Sequence, residues 1–237
     1  MPFMDIHFVT TSNLLAASDQ EPFKLVHNLI LAALLECCSI EELGNLTDAL
    51  ILEYVTKQVY EDLMAFTRKD PAASCEPFLI AKTYTSFAAV MHYRLANWIY
   101  IHSKTSDCSF EQCLAAIISR RGKMLSGAEI NYRCRIGARF VIDHGVGTVI
   151  GETSIIGDDC YLLGGVTLGA RGISNNPSVQ RHPKIGNRVQ IGAFASVLGF
   201  IDIGDDVLIG PGCIITQDIP SGARVQIKTS LQMVFRK

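Results

Sequence analysis

The stretch IGNRVQ-IGAFAS-VLGFID-IGDDVL-IGPGCI, residues 185–214, repeats an aliphatic residue at every sixth position. The same spacing continues to Ile215, and two earlier series cover residues 130–142 and 150–168. A period of six fits neither the 3.6-residue period of a helix nor the two-residue alternation of a half-buried strand. It is typical of a parallel β-helix. In that fold each hexad forms a short strand with one aliphatic side chain inside, and three hexads close one triangular coil.

Two interruptions of this period mark the places where we expect chemistry. Eight residues, rather than six, separate the aliphatic positions on either side of Asp143-His144-Gly145-Val146-Gly147. A longer insertion lies between Leu168 and Ile185, and it rejoins the coil through Arg181-His182-Pro183-Lys184. Connecting segments that leave a rigid scaffold are where catalytic and binding residues concentrate. Each interruption carries a histidine beside a charged residue.

The first half of the chain has a helical pattern instead. Apolar residues recur there at mixed spacings of three and four, which predicts helices over residues 22–36, 45–68, 77–102 and 109–125. The dipeptide Ser126-Gly127 marks the end of this pattern. The sequence therefore predicts an α+β fold, with an all-helical domain over 1–126, a parallel β-helix over 127–225 and a tail over 226–237.

Composition excludes several classes of partner. The 237 residues are 49% hydrophobic and carry a formal net charge of −2, which gives no general attraction to nucleic acid or to an anionic membrane. The first residues lack the basic start and apolar core of a signal peptide. The longest apolar run, residues 29–35, is far shorter than the ~20 residues that span a bilayer. We therefore expect a cytoplasmic protein.

The eight cysteines do not have the spacing of a metal site. No pair is arranged as C-x-x-C. Cys134, Cys160 and Cys213 each follow an aliphatic hexad residue by four positions, where other hexads place valine or alanine. We expect these three to be inward-facing packing residues, and we expect no metal.

The motifs at the interruptions resemble those of the serine O-acetyltransferases. The resemblance rests on Asp143-His144-Gly145-x-Gly147, Gly151-Glu152-Thr153, Val166-Thr167-Leu168-Gly169 and Arg181-His182-Pro183-Lys184-Ile185-Gly186, in the family's order and nearly at its spacing. In the helical half, residues 68–72 resemble the family's RDPA, and residues 93–98 resemble its YR-x-x-HW. The resemblance covers about residues 45–225. It implies a left-handed β-helix, a homotrimer or dimer of trimers, and active sites between neighbouring subunits.

His144 is the candidate general base. Acyl transfer from acetyl-CoA to a hydroxyl group needs a base for the hydroxyl proton, and imidazole titrates near working pH. The family places an aspartate fifteen residues before this histidine to orient the ring, and this chain has Glu129 there. A solvated turn histidine and a purely structural Glu129 are the alternatives. Acetyl-CoA is then a co-substrate, and no tightly bound cofactor is expected.

The resemblance also implies two binding regions. The acceptor pocket corresponds to Asp70, Asp143, Arg181 and His182, where carboxylates suit an ammonium group and a guanidinium suits a carboxylate. We expect Asp70 to reach that pocket on a neighbouring chain. The coenzyme A groove corresponds to Gly169, Ala170, Gly192 and Ala193.

Departures from the family pattern leave three hypotheses. Transfer of acetyl to L-serine, giving O-acetylserine for cysteine biosynthesis, is the first. Asn97, Gln180 and the longer loop favour homoserine or another hydroxy amino acid as the acceptor. Glu129 and the altered tail favour a non-catalytic paralogue. Family members often insert a C-terminal isoleucine into cysteine synthase, whereas this chain reads Phe235-Arg236-Lys237, so we do not expect that complex in its usual mode.

Overall fold

The N-terminal half of the chain is helical. The computed structural model describes residues 17–39, 42, 49–70, 72, 76–102, 110–172 and 179–228. Within these residues five helices are present: α1 (Ala17–Cys37), α2 (Ala49–Lys69), α3 (Pro77–Thr83), α4 (Thr85–Ile101) and α5 (Phe110–Ser126). None of these helices combines the length and apolarity needed to cross a membrane.

One predicted helix is interrupted. The apolar pattern over residues 77–102 predicts a single helix, but Tyr84 has an extended backbone, with φ −83° and ψ 109°, and separates α3 from α4. The N–H of Tyr84 still bonds to the carbonyl of Ile80, at 3.0 Å, and this is the last helical hydrogen bond of α3. The prediction of one continuous helix is therefore wrong at this residue, which lies beside the candidate site.

The second half forms three parallel sheets that run along the sides of a coil. The first sheet contains β1 (Glu129–Ile130), β4 (Val149–Ile150), β7 (Thr167–Gly169), β10 (Ser196–Leu198) and β13 (Ile214–Ile215). The second contains β2 (Arg135–Ile136), β5 (Ile155–Ile156), β8 (Lys184–Ile185) and β11 (Asp202–Ile203). The third contains β3 (Val141–Ile142), β6 (Tyr161–Leu162), β9 (Gln190–Ile191), β12 (Leu208–Ile209) and β14 (Arg224–Val225). The division into domains at 126 and 225 stays a prediction.

The six-residue period is the inner lining of this coil. In the first sheet Ile130 pairs with Ile150 and Ile150 with Leu168, so aliphatic side chains stack from coil to coil, and all three are buried. The predicted packing cysteines Cys134, Cys160 and Cys213 are buried too, and this prediction is confirmed. Burial raises the pKa of the Cys134 thiol to about 12.

One corner of the coil is held by a ladder of side-chain acceptors. Asp158 accepts the N–H of Ala138 at 2.8 Å, and Asn187 accepts the N–H of Asp158 at 2.9 Å. Asp205 accepts the N–H of Asn187 at 2.8 Å, and Ser221 accepts the N–H of Asp205 at 3.0 Å. Each rung satisfies a turn donor that the strand ladders leave free, which is why these positions carry short polar residues.

A buried ion pair joins the helical half to the first coil. Arg94 on α4 donates to both carboxylate oxygens of Asp62 on α2, at 2.8 and 3.1 Å. The same guanidinium donates to the carbonyls of Ile136 and Gly137, at 2.6 and 2.5 Å. Asp62 in turn accepts the N–H of Phe140 at 2.8 Å. Arg94 therefore donates four hydrogen bonds in this buried position. The pair holds α2 and α4 against the turn that follows β2.

Asn97 belongs to this junction. Its side-chain amide donates to the carbonyls of Tyr132 and Cys134, at 2.8 and 3.0 Å, and the Tyr93 hydroxyl donates to the Cys134 carbonyl at 3.0 Å. The departure from the family's histidine at position 97 thus has a structural use. It gives no reason to expect a different acceptor.

Removal of one partner of the buried pair should be strongly destabilising. We expect Asp62→Ala to lower the free energy of unfolding by about 3–5 kcal/mol, because the Arg94 charge stays buried without its counter-ion. Urea unfolding followed by circular dichroism measures this. The matched control is Glu36→Ala, which breaks a surface pair with Arg121 and should cost less than about 1 kcal/mol. Equal losses in the two variants would contradict the assignment of Arg94 and Asp62 as the junction.

Candidate functional site

The site residues are organised by the two edges of the first sheet. Because its strands are parallel, their amino ends share one edge and their carboxyl ends share the other. We call the turns before these strands the amino edge; it contains Asp143–Gly147, Gly164–Gly165 and Gly192–Phe194. We call the turns after them the carboxyl edge; it contains Gly151–Thr153 and Gly169–Ala170, with Arg181–His182 packed on it.

His144 lies in a tight turn at the amino edge. The N–H of Gly145 bonds to the Asp143 carbonyl at 2.8 Å, so His144 is the central residue of a three-residue turn, with φ +62°. The imidazole is 81% exposed, and its Nε2 lies 3.8 Å from Oδ2 of Asp143. An exposed ring beside a carboxylate can take a proton from a substrate and hold the resulting positive charge.

The helical half supports this turn from behind. Gly145 has φ +78°, and a Cβ on it would lie 3.2 Å from the Cβ of Ser86 on α4. The N–H of Gly147 bonds to the carbonyl of Gly127 at 3.0 Å. Glycine is required at 145 both by its backbone conformation and by the close approach of α4. The position of His144 therefore depends on how α4 is docked.

Asp70 and Asp143 lie together in one chain. The Tyr161 hydroxyl donates to Oδ2 of Asp143 at 2.9 Å, and the Tyr84 hydroxyl bonds to Asp70. The hydrogen bond with Asp70 raises the pKa of Tyr84, and Asp143 adds to the rise. Burial and then Asp143 raise the pKa of Tyr161, and Asp70 adds to that rise. Both aspartates therefore act on both tyrosines. The expectation that Asp70 reaches the site of a neighbouring chain is wrong, since the end of α2 brings it to Asp143 of its own chain.

Thr153 fixes His182 at the carboxyl edge. Its hydroxyl oxygen accepts the N–H groups of Arg181 and His182, at 3.0 and 3.1 Å. Its own N–H donates to Nδ1 of His182 at 3.1 Å, and its hydroxyl lies 2.8 Å from the same nitrogen. Nδ1 is thus an acceptor, and the neutral ring carries its proton on Nε2. Burial, followed by the charge of Arg181, lowers the pKa of His182.

Glu152 and Gly151 complete this arrangement. The Glu152 carboxylate accepts hydrogen bonds from Arg133, at 2.8 Å, and from Arg181, and these hold its pKa below the ordinary value. A Cβ on Gly151 would overlap the ring of His182. The segment Gly151-Glu152-Thr153 therefore positions Arg181 and His182. The sequence showed this motif, but its role becomes visible only when the loop that rejoins at Arg181 is seen to fold over it.

Gln180 has a structural role as well. Its side-chain amide donates to the carbonyl of Thr153 and, at 2.9 Å, to the carbonyl of His182. The residue that departs from the family's aspartate thus helps to hold the returning loop against Thr153. Like Asn97, it gives no reason to expect a different acceptor.

The four small residues predicted for the coenzyme A groove divide between the edges. Gly192 and Ala193 lie in the amino-edge column that also contains His144. In that column a Cβ on Gly164 would lie 3.4 Å from the Cβ of His144, and the N–H of Gly212 bonds to Ala193 at 2.9 Å. Gly169 ends β7 at the carboxyl edge, and Ala170 follows it. A strip of small residues therefore runs along the coil from His144, where a narrow ligand can lie against the backbone.

Glu129 is engaged elsewhere. It lies on β1 with its side chain half exposed, and its carboxylate bonds to Lys123 at 2.5 Å. Among the described residues, no hydrogen bond joins Glu129 to His144, whereas Asp143 Oδ2 lies 3.8 Å from Nε2 of His144. The role of Glu129 as the orienting group stays a prediction.

Each chain thus carries two half-sites. Asp70, Asp143 and His144 meet at the amino edge, whereas Arg181 and His182 lie at the other end of β4, at the carboxyl edge. Carboxylates with a base can bind an ammonium group and deprotonate a neighbouring hydroxyl. A guanidinium with an imidazole N–H can bind a carboxylate.

Known proteins share both the sequence pattern and the architecture. The family model described as Bacterial transferase hexapeptide (six repeats) matches residues 182–217. A serine acetyltransferase of Synechococcus elongatus is 38% identical over 172 residues, which cover 71% of this chain and 65% of that enzyme. A serine acetyltransferase of Helicobacter pylori is 39% identical over 156 residues, which cover 66% of this chain and 85% of that enzyme.

Solved structures extend the similarity over most of the chain. Serine acetyltransferase isoform 3 of Entamoeba histolytica, in complex with cysteine, has a TM-score of 0.71 and 28% identity over 91% of this chain and 84% of its own. The soybean enzyme complexed with serine has a TM-score of 0.69 and 29% identity, over 86% and 80% of the two chains. The Brucella abortus enzyme in complex with coenzyme A has a TM-score of 0.70 and 25% identity, over 90% and 81%. The predicted fold class, a helical domain followed by a left-handed parallel β-helix, is confirmed.

His182 should titrate below an ordinary histidine, whose pKa is 6.5. Nitrogen chemical shifts of histidine-labelled protein are expected to show a neutral ring with its proton on Nε2. Because the folded chain then holds this proton less tightly than the unfolded chain, His182 should lower stability as the pH falls below 6.5 towards its folded-state value. Arg181→Ala removes the positive charge that adds to the effect of burial and should move the pKa back towards 6.5, whereas Arg181→Lys should not. An Nδ1–H ring in the unaltered protein would contradict the assignment.

Proposed function

This chain belongs to the serine acetyltransferase family, and we propose that it transfers the acetyl group of acetyl-CoA to the hydroxyl of L-serine. The product is O-acetylserine, a precursor of cysteine. The observation that carries this proposal is the meeting of Asp70, Asp143 and His144 at the amino edge, where an ammonium site adjoins an exposed base. The relatives found with serine, cysteine and coenzyme A support the same substrates.

The proposed reaction is a direct transfer in a ternary complex. Asp70 and Asp143 bind the ammonium group of serine, while Arg181 and the Nε2–H of His182 bind its carboxylate. His144 takes the hydroxyl proton as the serine oxygen attacks the thioester carbonyl. The C–S bond then breaks, and the departing thiolate takes the proton back from the imidazolium. Atoms balance as O-acetylserine and coenzyme A, without a covalent enzyme intermediate.

Two carboxylates are candidates for stabilising the imidazolium. Glu129 holds the position that the family gives to its orienting aspartate, but in this chain Lys123 already neutralises it. Asp143 lies 3.8 Å from Nε2 of His144 and can stabilise the charged ring directly. In the proposed reaction Asp143 therefore serves both the ammonium group and the base, and Glu129 contributes from the outer face of β1.

The two half-sites suggest how the protein assembles. One serine molecule needs an amino edge and a carboxyl edge together, and β4 separates the two edges of a single chain. We propose a homotrimer in which the amino edge of one chain faces the carboxyl edge of the next, and a dimer of trimers through the helical halves. Coenzyme A would then lie between Gly192–Ala193 of one chain and Gly169–Ala170 of its neighbour.

The other hypotheses have less support. Asn97 and Gln180 suggested homoserine or another acceptor, but both donate to backbone carbonyls of this chain. A non-catalytic paralogue would not need the hydrogen-bonded arrangement around His182. A cytoplasmic location and the absence of the usual cysteine synthase complex stay predictions. The terminal residues 229–237, on which the second of these rests, lie outside the described residues.

Replacement of the base should abolish turnover. In an assay of thiol release from acetyl-CoA, serine should be the best acceptor in a panel with homoserine and threonine. We expect His144→Ala to lower kcat by about a hundredfold or more, in the range found when general-base catalysis is removed. His102→Ala, at the end of α4, is the matched control and should keep full activity. A higher kcat/KM for homoserine than for serine would replace the proposed acceptor.

Two variants with defects on different edges should complement each other. His144→Ala damages the amino edge, and Arg181→Ala damages the carboxyl edge. Co-expressed with different tags and purified through both, they should regain activity in about one third of the sites, because a cyclic trimer of both chains has one junction at which both edges are intact. His144→Ala paired with Asp143→Ala is the control, because both defects lie on the amino edge. Equal activity in the two mixtures would contradict a site shared between chains.

A further inference from the structure

Two tyrosine hydroxyls hold the paired aspartates of the amino edge. Tyr161, on β6, donates to Oδ2 of Asp143 at 2.9 Å. Tyr84, at the break between α3 and α4, bonds to Asp70. The two contacts come from different halves of the molecule and meet at one place. The helix interruption at Tyr84 therefore coincides with the contact that this residue makes to the site.

Other carboxylates around the coil form ion pairs with lysine or arginine. Glu129 pairs with Lys123, Glu152 with Arg133 and Arg181, and Asp159 with Arg139. Among the described residues, no lysine or arginine forms an ion pair with Asp70 or Asp143. The partners of these two aspartates are an N–H group of Ala72, at 2.8 Å, the two phenols and the ring of His144.

This choice of partner has an electrostatic consequence. Two carboxylates that share a site disfavour each other's ionised form, whereas hydrogen bonds donated to the ionised form favour it. A lysine or arginine would also favour ionisation, but it would cancel the negative charge. A phenol orients the carboxylate and leaves the charge in place. Among the described residues, no lysine or arginine therefore competes with an incoming cation for this pair of aspartates.

We propose that Tyr84 and Tyr161 are positioning residues that hold the side chains of Asp70 and Asp143 in place for the ammonium group of the acceptor. This inference rests on the proposed function, because it assigns the cation to the amino acid substrate. The tyrosines do not touch the reacting atoms. They act through the aspartates, so both affect recognition of the ammonium group, and Tyr161 also affects acetyl transfer through the contact of Asp143 with His144.

The first test measures kinetics of Tyr84→Phe and Tyr161→Phe. Each variant loses one hydrogen bond to a charged group, so we expect KM for serine to rise about tenfold. For Tyr84→Phe, kcat and the KM for acetyl-CoA should stay within about twofold, since in the proposed reaction Asp70 serves only the ammonium group. Tyr161→Phe should in addition lower kcat, because Asp143 also stabilises the charged ring of His144. Tyr54→Phe is the control, because Tyr54 is an exposed tyrosine on α2 whose hydroxyl accepts a hydrogen bond from Gln58, far from both aspartates in the sequence. A fall in kcat with KM for serine unchanged would overturn the proposal.

The second test measures binding without turnover. L-Alanine has the ammonium and carboxylate groups of serine, whereas L-lactate has a hydroxyl in place of the ammonium. Calorimetric titration should show about tenfold weaker alanine binding in each tyrosine variant and unchanged lactate binding. Equal weakening of both ligands would mean a general collapse of the pocket and would overturn the proposal.

The two tests separate this inference from the proposed function. If the unaltered protein releases no thiol with serine but binds alanine in a tyrosine-dependent way, the transfer reaction fails and the ammonium site stands. If it acetylates serine and both variants keep the original KM for serine, the reaction stands and the role of the tyrosines fails. Thermal unfolding by circular dichroism checks that the variants remain folded, as expected for the loss of one oxygen atom.

Discussion

The interior of the β-helix accepts one aliphatic side chain from each side of each coil, and this limit governs the rest of the molecule. Ile130, Ile150 and Leu168 stack directly on one another, with no room for an extra residue between the sheets. Additional residues can leave only at the corners. Both insertions do so, one before β4 and one after β7, and each therefore delivers its histidine to an edge of the first sheet.

The helical half determines how the amino edge is completed. The buried pair Asp62–Arg94 fixes α2 and α4 against the first coil. The end of α2 then brings Asp70 to Asp143, and the start of α4 brings Ser86 against Gly145. The helices thus act as a rigid frame that sets distances within one half-site. The contacts that dock α2 and α4 on the first coil therefore also determine where Asp70 and Ser86 lie relative to Asp143 and Gly145.

The hexad period predicted the coil because every sixth side chain lies buried inside it and is therefore aliphatic. The helix break at Tyr84 could not be predicted, since neither proline nor glycine marks it in the sequence. The structural roles of Asn97 and Gln180 could not be predicted for a related reason. Their side-chain amides donate to backbone carbonyls, some of them far away in sequence. The motifs named the site residues, but a linear pattern contains no distance between corners, so it could not assign them to different edges.

Within the described part of the chain, His144 has a positive φ, and so do five other residues that are not glycine: Arg139, Asp159, Arg188, Phe194 and Asp206. The coil turns through this left-handed backbone conformation repeatedly, and in most places the residue only forms a surface ion pair or covers a glycine. The position of His144 is therefore an ordinary corner of the coil that carries a titratable side chain. The corners of such a scaffold have nearly the same backbone conformation. A new reactive group can therefore arise by a substitution at one corner, without a new fold.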